Sequence, residues 1–364
     1  MNASELIKRI TFSKAYEFLE KDPEQNFPRL IEWLEKLEKK GFVARQLPVI
    51  RKYADDPASN WYQLAKNVWR DVDDEVRKTL FTNVVLNGGL LENQKLQESR
   101  RRGGCGIPWL ILLEPSGQDG AALTFDEMDD LVEQGKDLGA CFYGFTGNCL
   151  GQRWVDIIAL CNKNADCTFV CFISGDGVDD ALARELLRVR NLVPALTLNR
   201  PADPQAEAAM AALKRHGLFF GLHCRYTGES CGGFGSEAFF DGAVARGARF
   251  AVFSPDAEGQ SAGASEKQRA RLYQQICAFR KTKALLTLDL WKDHHILGPC
   301  AGAGRGYCCI TARGDVEPCG FVHQSDANIR RQSLLECCRS PLFRRIQQQG
   351  ASCGECPGRQ TYMN

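Results

Sequence analysis

Hydrophobic and polar positions change rhythm twice along the chain. Over 27–40, Leu30, Ile31, Trp33, Leu34 and Leu37 recur at helical spacing with charges between them; over 71–86, Val76, Leu80, Val84 and Val85 repeat the pattern. Both stretches are expected to be amphipathic packing helices. Asn87-Gly88-Gly89 is expected to end the second. The polar, glycine-ended stretch 98–104, with Arg100, Arg101 and Arg102, reads as a solvated linker. From Ile107 onward, short apolar runs alternate with amphipathic stretches. Strands are expected over 108–113, 140–145, 168–173, 193–198, 218–222, 250–253 and 284–288. Helices are expected over 125–138, 154–162, 179–189, 204–216, 236–246 and 266–281. Thr124 with Glu127, and Ser265 with Gln268, have capping-box spacing. This alternation predicts an α/β protein with a parallel sheet, either closed into a barrel or open and doubly wound. In both, chemistry belongs in the loops after the strands.

Those loops hold Glu114 to Gly120, then Gly147, Asn148 and Cys149, then Ser174 to Gly177. Later ones hold Arg200; His223, Cys224, Arg225 and Tyr226; Ser254 and Asp256; and His294 with His295. Arg200, Arg225 and Tyr226 are placed at one mouth, where a basic group holds an anion, with solvated loop residues as the plainer reading. The last stretch, 297–364, differs again. It carries a hairpin over 308–316 turning at Arg313-Gly314-Asp315 and a helix over 333–348. The chain therefore divides into an N-terminal helical region and linker (1–104), a β/α core (105–296) and a small Cys-rich extension (297–364).

Charge adds exclusions. The 46 basic and 45 acidic side chains leave a net charge of +1, which excludes a whole-chain basic footprint for nucleic acid. No apolar run reaches membrane-spanning length, and residues 1–20 lack the apolar stretch of a signal peptide, so a cytoplasmic location is the expectation.

Cysteine is the outlier: 17 among 364 residues, eight of them in 297–364. In a reducing compartment that density points to metal ligands more than disulfides. Cys300, Gly314, Cys319 and the close pair Cys353-x2-Cys356 form the informative spacing. A CxxC brings two thiolates to one metal, and the glycine permits a turn back toward it. Four thiolates suit an iron–sulfur cluster or tetrahedral zinc; one pair and two distant singles favour the cluster. Cys308, Cys309, Cys337 and Cys338 occur as adjacent pairs whose members point apart. They read as core thiols, with one of them replacing a ligand as the alternative. Cys141, Cys161, Cys167 and Cys171 also read as core, while Cys149 lies in a strand-end loop.

With these residues in view, the sequence resembles the radical S-adenosylmethionine (radical SAM) enzymes that carry a SPASM/twitch-type C-terminal extension. The resemblance rests on Cys300, Gly314, Cys319, Cys353 and Cys356, and on Gly314-Asp-Val-Glu-Pro-Cys319, Asn328-Ile-Arg and Ser340-Pro-Leu-Phe343. It implies a partial parallel (β/α) barrel and one auxiliary [4Fe–4S] cluster held by Cys300, Cys319, Cys353 and Cys356. The family's defining CxxxCxxC after strand one is missing: no cysteine lies between Cys105 and Cys141. After strand two the family has Gly-Gly-Glu-Pro, which helps hold the methionine amino group; here Gly147, Asn148, Cys149 and Leu150 stand instead. Gly147 and Cys149 are thus a vestigial S-adenosylmethionine loop. The resemblance therefore implies a degenerate member without S-adenosylmethionine cleavage, serving as accessory, scaffold or electron-transfer partner to an intact paralogue or to a peptide or protein substrate. Other readings are an enzyme using Cys149, His223 or His294 at the barrel mouth, radical chemistry on a cluster held by Cys141 and Cys149, and a zinc-stabilised binding module.

Overall fold

Strand and helix alternate from Leu110 onward and build a single sheet. The computed structural model describes residues 3–37, 51, 55–147, 150–256, 263–293, 302, 304–321 and 323–349. Its strands are β1 (Leu110–Leu113), β2 (Phe142–Phe145), β3 (Thr168–Ser174), β4 (Leu192–Leu198) and β5 (Gly221–Tyr226). They continue with β6 (Phe250–Pro255), β7 (Leu286–Asp289), β8 (Tyr307–Ile310) and β9 (Val316–Glu317). Among the described residues these make a nine-stranded sheet ordered β7-β6-β5-β4-β3-β2-β1-β8-β9. Every pairing is parallel except the β8–β9 hairpin. The sheet curls into a half-barrel, and its two edges approach at the mouth: Trp291, just after β7, packs edge-on against Phe321, just after β9, with ring centroids 5.8 Å apart.

Period-2 alternation sorts the side chains between two faces. Ile111, Tyr143, Phe145, Phe169, Cys171 and Leu222 point toward the crossover helices and are buried in one continuous core. The opposite, inner face carries the row Ser174, Thr197, His223, Val252 and Leu288 across β3–β7. Both expected capping boxes form, at Thr124–Glu127 and Ser265–Gln268. The hairpin turns at Gly314, whose φ of +82° needs a residue without a Cβ.

The N-terminal region packs under the base of this sheet, and here two sequence expectations fail. Asn87-Gly88-Gly89 ends nothing: helix Asp74–Phe81 runs into a π-helix, Thr82–Glu92, and then into helix Asn93–Gly103. Asn83 and Asn87 donate from this segment to the carbonyls of Ala165, Cys167 and Asp166 in the turn before β3. Gly88 is needed for close approach, since a Cβ there would lie 2.6 Å from the Phe142 ring. The stretch 98–104 is likewise no linker. It is helical to Gly103, closes at Gly104 with φ +62°, and its Arg100 donates to the carbonyls of Ile107 and Arg305 at 2.7 and 2.6 Å. A third difference lies near the C-terminus, where the single expected helix is two, Leu334–Cys338 and Pro341–Gln349. Pro341 cannot continue the hydrogen-bond ladder, so it opens the second helix.

Candidate functional site

The loop after β1 is where the family resemblance expects a cluster, and it is closed on itself. Ser116 and Ala122 form an antiparallel bridge. The Gly117 amide donates to the Ala121 carbonyl at 2.8 Å, and that of Leu123 to Pro115 at 3.1 Å. Three arginines hold the loop from outside. Arg153 donates to the Pro115 and Leu123 carbonyls at 2.6 and 2.7 Å. Arg330 donates to the Ala122 carbonyl at 3.0 Å and pairs with Glu127, and Arg313 pairs with Asp119. The Ala121 amide and then Arg313 hold the Asp119 carboxyl below its ordinary pKa, and Arg330 does the same for Glu127.

Glu114 directly follows β1. Its Oε2 accepts from the Ala312 amide at 3.2 Å. Gly147, with φ +102°, packs against it: a Cβ on Gly147 would sit 3.1 Å from Glu114 Cγ. Cys149 lies outside the described residues, as do His294, His295, Cys300, Cys353 and Cys356. Cys141 precedes β2 at its N-terminal end, buried beside Gly88, whereas Cys149 follows the strand.

Sequence reasoning places His223 and Tyr226 in the loop after β5; both are inside the strand. Tyr226 alternates onto the helix-facing side and is buried there, away from the mouth. His223 faces inward, with Nε2 2.8 Å from Ser254 Oγ and Nδ1 3.5 Å from Thr197 Oγ1. Its ring meets Phe172 edge-on at 5.0 Å. Burial, and then the neighbouring Arg225, lower its pKa to about 4, so the imidazole is neutral near pH 7. Arg225 itself is paired with Asp256.

At the other edge of the sheet, the β8–β9 hairpin sets Cys309 opposite Glu317. Cys319 follows two residues on, half-buried, and the Glu317 carboxylate lies 3.2 Å from His323 Nδ1. Thiols are the soft donors that iron–sulfur clusters take, so the residues present here fit such a group. Among the described residues no three His, Cys, Asp or Glu side chains converge tightly enough to hold a metal alone. Of the four expected ligands, Cys319 is the one within the described residues. Cys308, Cys337 and Cys338 are buried in the core, as expected. Sequence reasoning missed Arg153, whose acceptors Pro115 and Leu123 are distant in the chain, and the Glu317–His323 pair, which has no recognisable spacing.

Comparison with known proteins adds two findings. Residues 300–357 match the family model of SPASM, an iron–sulfur cluster-binding domain. The fold is similar to that of Streptococcus suis SuiB, at 14% identity and a TM-score of 0.53 over 71% of this chain and 72% of SuiB. SuiB bound to its precursor peptide SuiA gives 14% and 0.54 over 71% of each chain. SuiB bound to S-adenosylmethionine gives 13% and 0.51 over 71% and 70%. No curated protein matches by sequence. The chain thus joins a C-terminal segment that matches the SPASM iron–sulfur cluster-binding domain to a partial barrel whose fold is similar to that of SuiB.

Proposed function

We propose that this protein has lost reductive cleavage of S-adenosylmethionine and works as a cluster-bearing accessory. In this reading it keeps one [4Fe–4S] cluster on Cys300, Cys319, Cys353 and Cys356, and serves as scaffold or electron-transfer partner to an intact radical SAM paralogue. The observation that carries the reading is the cysteine-free loop over 115–123, tied shut by its own amides and by Arg153, Arg313 and Arg330. An iron that chelates S-adenosylmethionine needs three thiolates there; without them an electron has no inner-sphere route into the sulfonium. Gly147 then remains as the backbone vestige of the loop after β2, with Cys149 beside it in the chain.

A peptide is the partner class to test first. SuiB has been solved with its precursor peptide. The inner face of the half-barrel here presents half-buried Leu112, Val170, Phe172 and Val252, apolar surface that peptide side chains would cover.

Anaerobic reconstitution tests the core of the proposal. About four irons with matching sulfide per chain, lost in a Cys353→Ala/Cys356→Ala variant, is the expected result. Stoichiometric zinc without sulfide would instead make the protein a zinc-stabilised binding module. Incubation with S-adenosylmethionine and a strong reductant is expected to yield no 5′-deoxyadenosine; its enzymatic formation overturns the loss of cleavage.

A further inference from the structure

Three polar side chains from neighbouring strands form a chain among the apolar residues of the inner face. Thr197 of β4, His223 of β5 and Ser254 of β6 alternate with Leu196, Leu198, Leu222, Cys224 and Phe253 of the helix-side core, so all three point inward. His223 Nε2 lies 2.8 Å from Ser254 Oγ, and Nδ1 lies 3.5 Å from Thr197 Oγ1. Among the described residues the three side chains make no other hydrogen bond. Thr197 and His223 are half-buried and Ser254 is buried. The imidazole is neutral near pH 7, so it brings one N–H, and each hydroxyl brings one O–H. Three donors therefore serve a chain with two links. One hydroxyl proton is always left over: that of Ser254 when Nε2 carries the ring proton, that of Thr197 when Nδ1 carries it. The chain can thus donate from either end, and its oxygens keep lone pairs that accept.

The surroundings select what it can hold. Phe172 meets the His223 ring edge-on at 5.0 Å, and Val252 is the register partner of His223. Arg225, the charge that acts on the ring, is paired with Asp256. A carboxylate or an ammonium drawn in here would lose water without gaining a counter-charge. A primary amide both donates and accepts, whereas a carboxylate only accepts and an ammonium only donates. We propose that Thr197, His223 and Ser254 form a recognition site for an uncharged primary amide, the side chain of Asn or Gln in a peptide partner. The peptide part rests on the reading that a peptide covers the inner face; the amide part does not.

The test uses the full chain with ¹³C-labelled histidine. Of its five histidines, the His223 signal is the one lost in His223→Gln. Propionamide, propionate and propylammonium are titrated separately. Propionamide is expected to shift the His223 signal saturably, and the two charged probes to leave it in place. Ser254→Ala and Thr197→Val are each expected to weaken propionamide binding by about threefold or more, the size of one hydrogen bond. No shift with propionamide, or a shift as strong with propionate, overturns the site. If Ser254→Ala does not fold, unchanged affinity in Thr197→Val overturns it equally. Capped Leu-Gln-Leu and Leu-Glu-Leu peptides separate the two parts. Tighter binding of the Gln peptide than of propionamide supports both. Preference for the Glu peptide overturns the assignment. Propionamide binding with no gain from the Gln peptide overturns the peptide partner and leaves the amide site standing.

Discussion

His223 shows how a single inner-face residue ties the half-barrel to pH. Its folded pKa of about 4 lies below the ordinary histidine value of about 6.5. Between those values the unfolded chain binds the extra proton, so the stability this neutral imidazole contributes is present above about pH 6.5 and is lost as pH falls toward 4. His223→Gln is expected to lose less stability than wild type between pH 7 and pH 5, measured by urea unfolding; equal losses refute the point. Glu317 acts on a different quantity. Its carboxylate lies two residues before the proposed ligand Cys319, and negative charge near a cluster lowers its potential. Glu317→Gln is therefore expected to raise the reduction potential in spectroelectrochemistry, and an unchanged value shows that the carboxylate does not reach the cluster. At this scale the sequence is legible where chemistry follows local spacing, as in Gly314-x4-Cys319. Arg153 is not legible, because its acceptors Pro115 and Leu123 come from another loop. His223 is misplaced because the apolar run over 218–222 looks like the whole strand. The true strand announces itself in the alternation of Leu222, Cys224 and Tyr226, all buried on the helix side.

Among the elements, helices Phe125–Leu138 and Asn93–Gly103 meet by close backbone approach. Gly139 ends helix Phe125–Leu138 with φ +95°, and a Cβ there would lie 2.4 Å from the Leu96 amide nitrogen in the next helix. Gly139→Ala meets both a left-handed backbone penalty of about 1–2 kcal/mol and this contact. It is expected to lower unfolding free energy by at least that amount in denaturant titration; a loss below about 0.5 kcal/mol, the size of a bland surface change, shows that the two helices separate freely. The strands and the two capping boxes were readable because their determinants are periodicity and a three-residue spacing. The π-helix was not. Glycines at 88 and 89 carry the same letters whether they end a helix or admit a neighbouring ring, and the Phe142 ring that decides the matter comes from a distant strand.

For the molecule as a whole, the alternating pattern was enough to give a parallel sheet, though not its strand order, and the cysteine spacing enough to mark the extension. What the pattern did not carry was the docking of that extension. β8 belongs to 297–364, yet it pairs in parallel with β1 and continues the sheet. No single-sequence rule reports which edge a late strand joins, because the information sits in two segments far apart. Truncation before β8 is expected to expose the β1 edge and give an aggregating product in size-exclusion chromatography; a monomeric, soluble fragment of 1–296 shows instead that the barrel stands without its extension. The same pairing has a consequence for how the protein is made. Leu112 must wait for Cys309, and at ribosomal speeds of about 5–20 residues per second that delay is on the order of ten to forty seconds. Throughout it the nascent half-barrel carries an open strand edge, so this chain is one whose yield depends on what shelters it during synthesis.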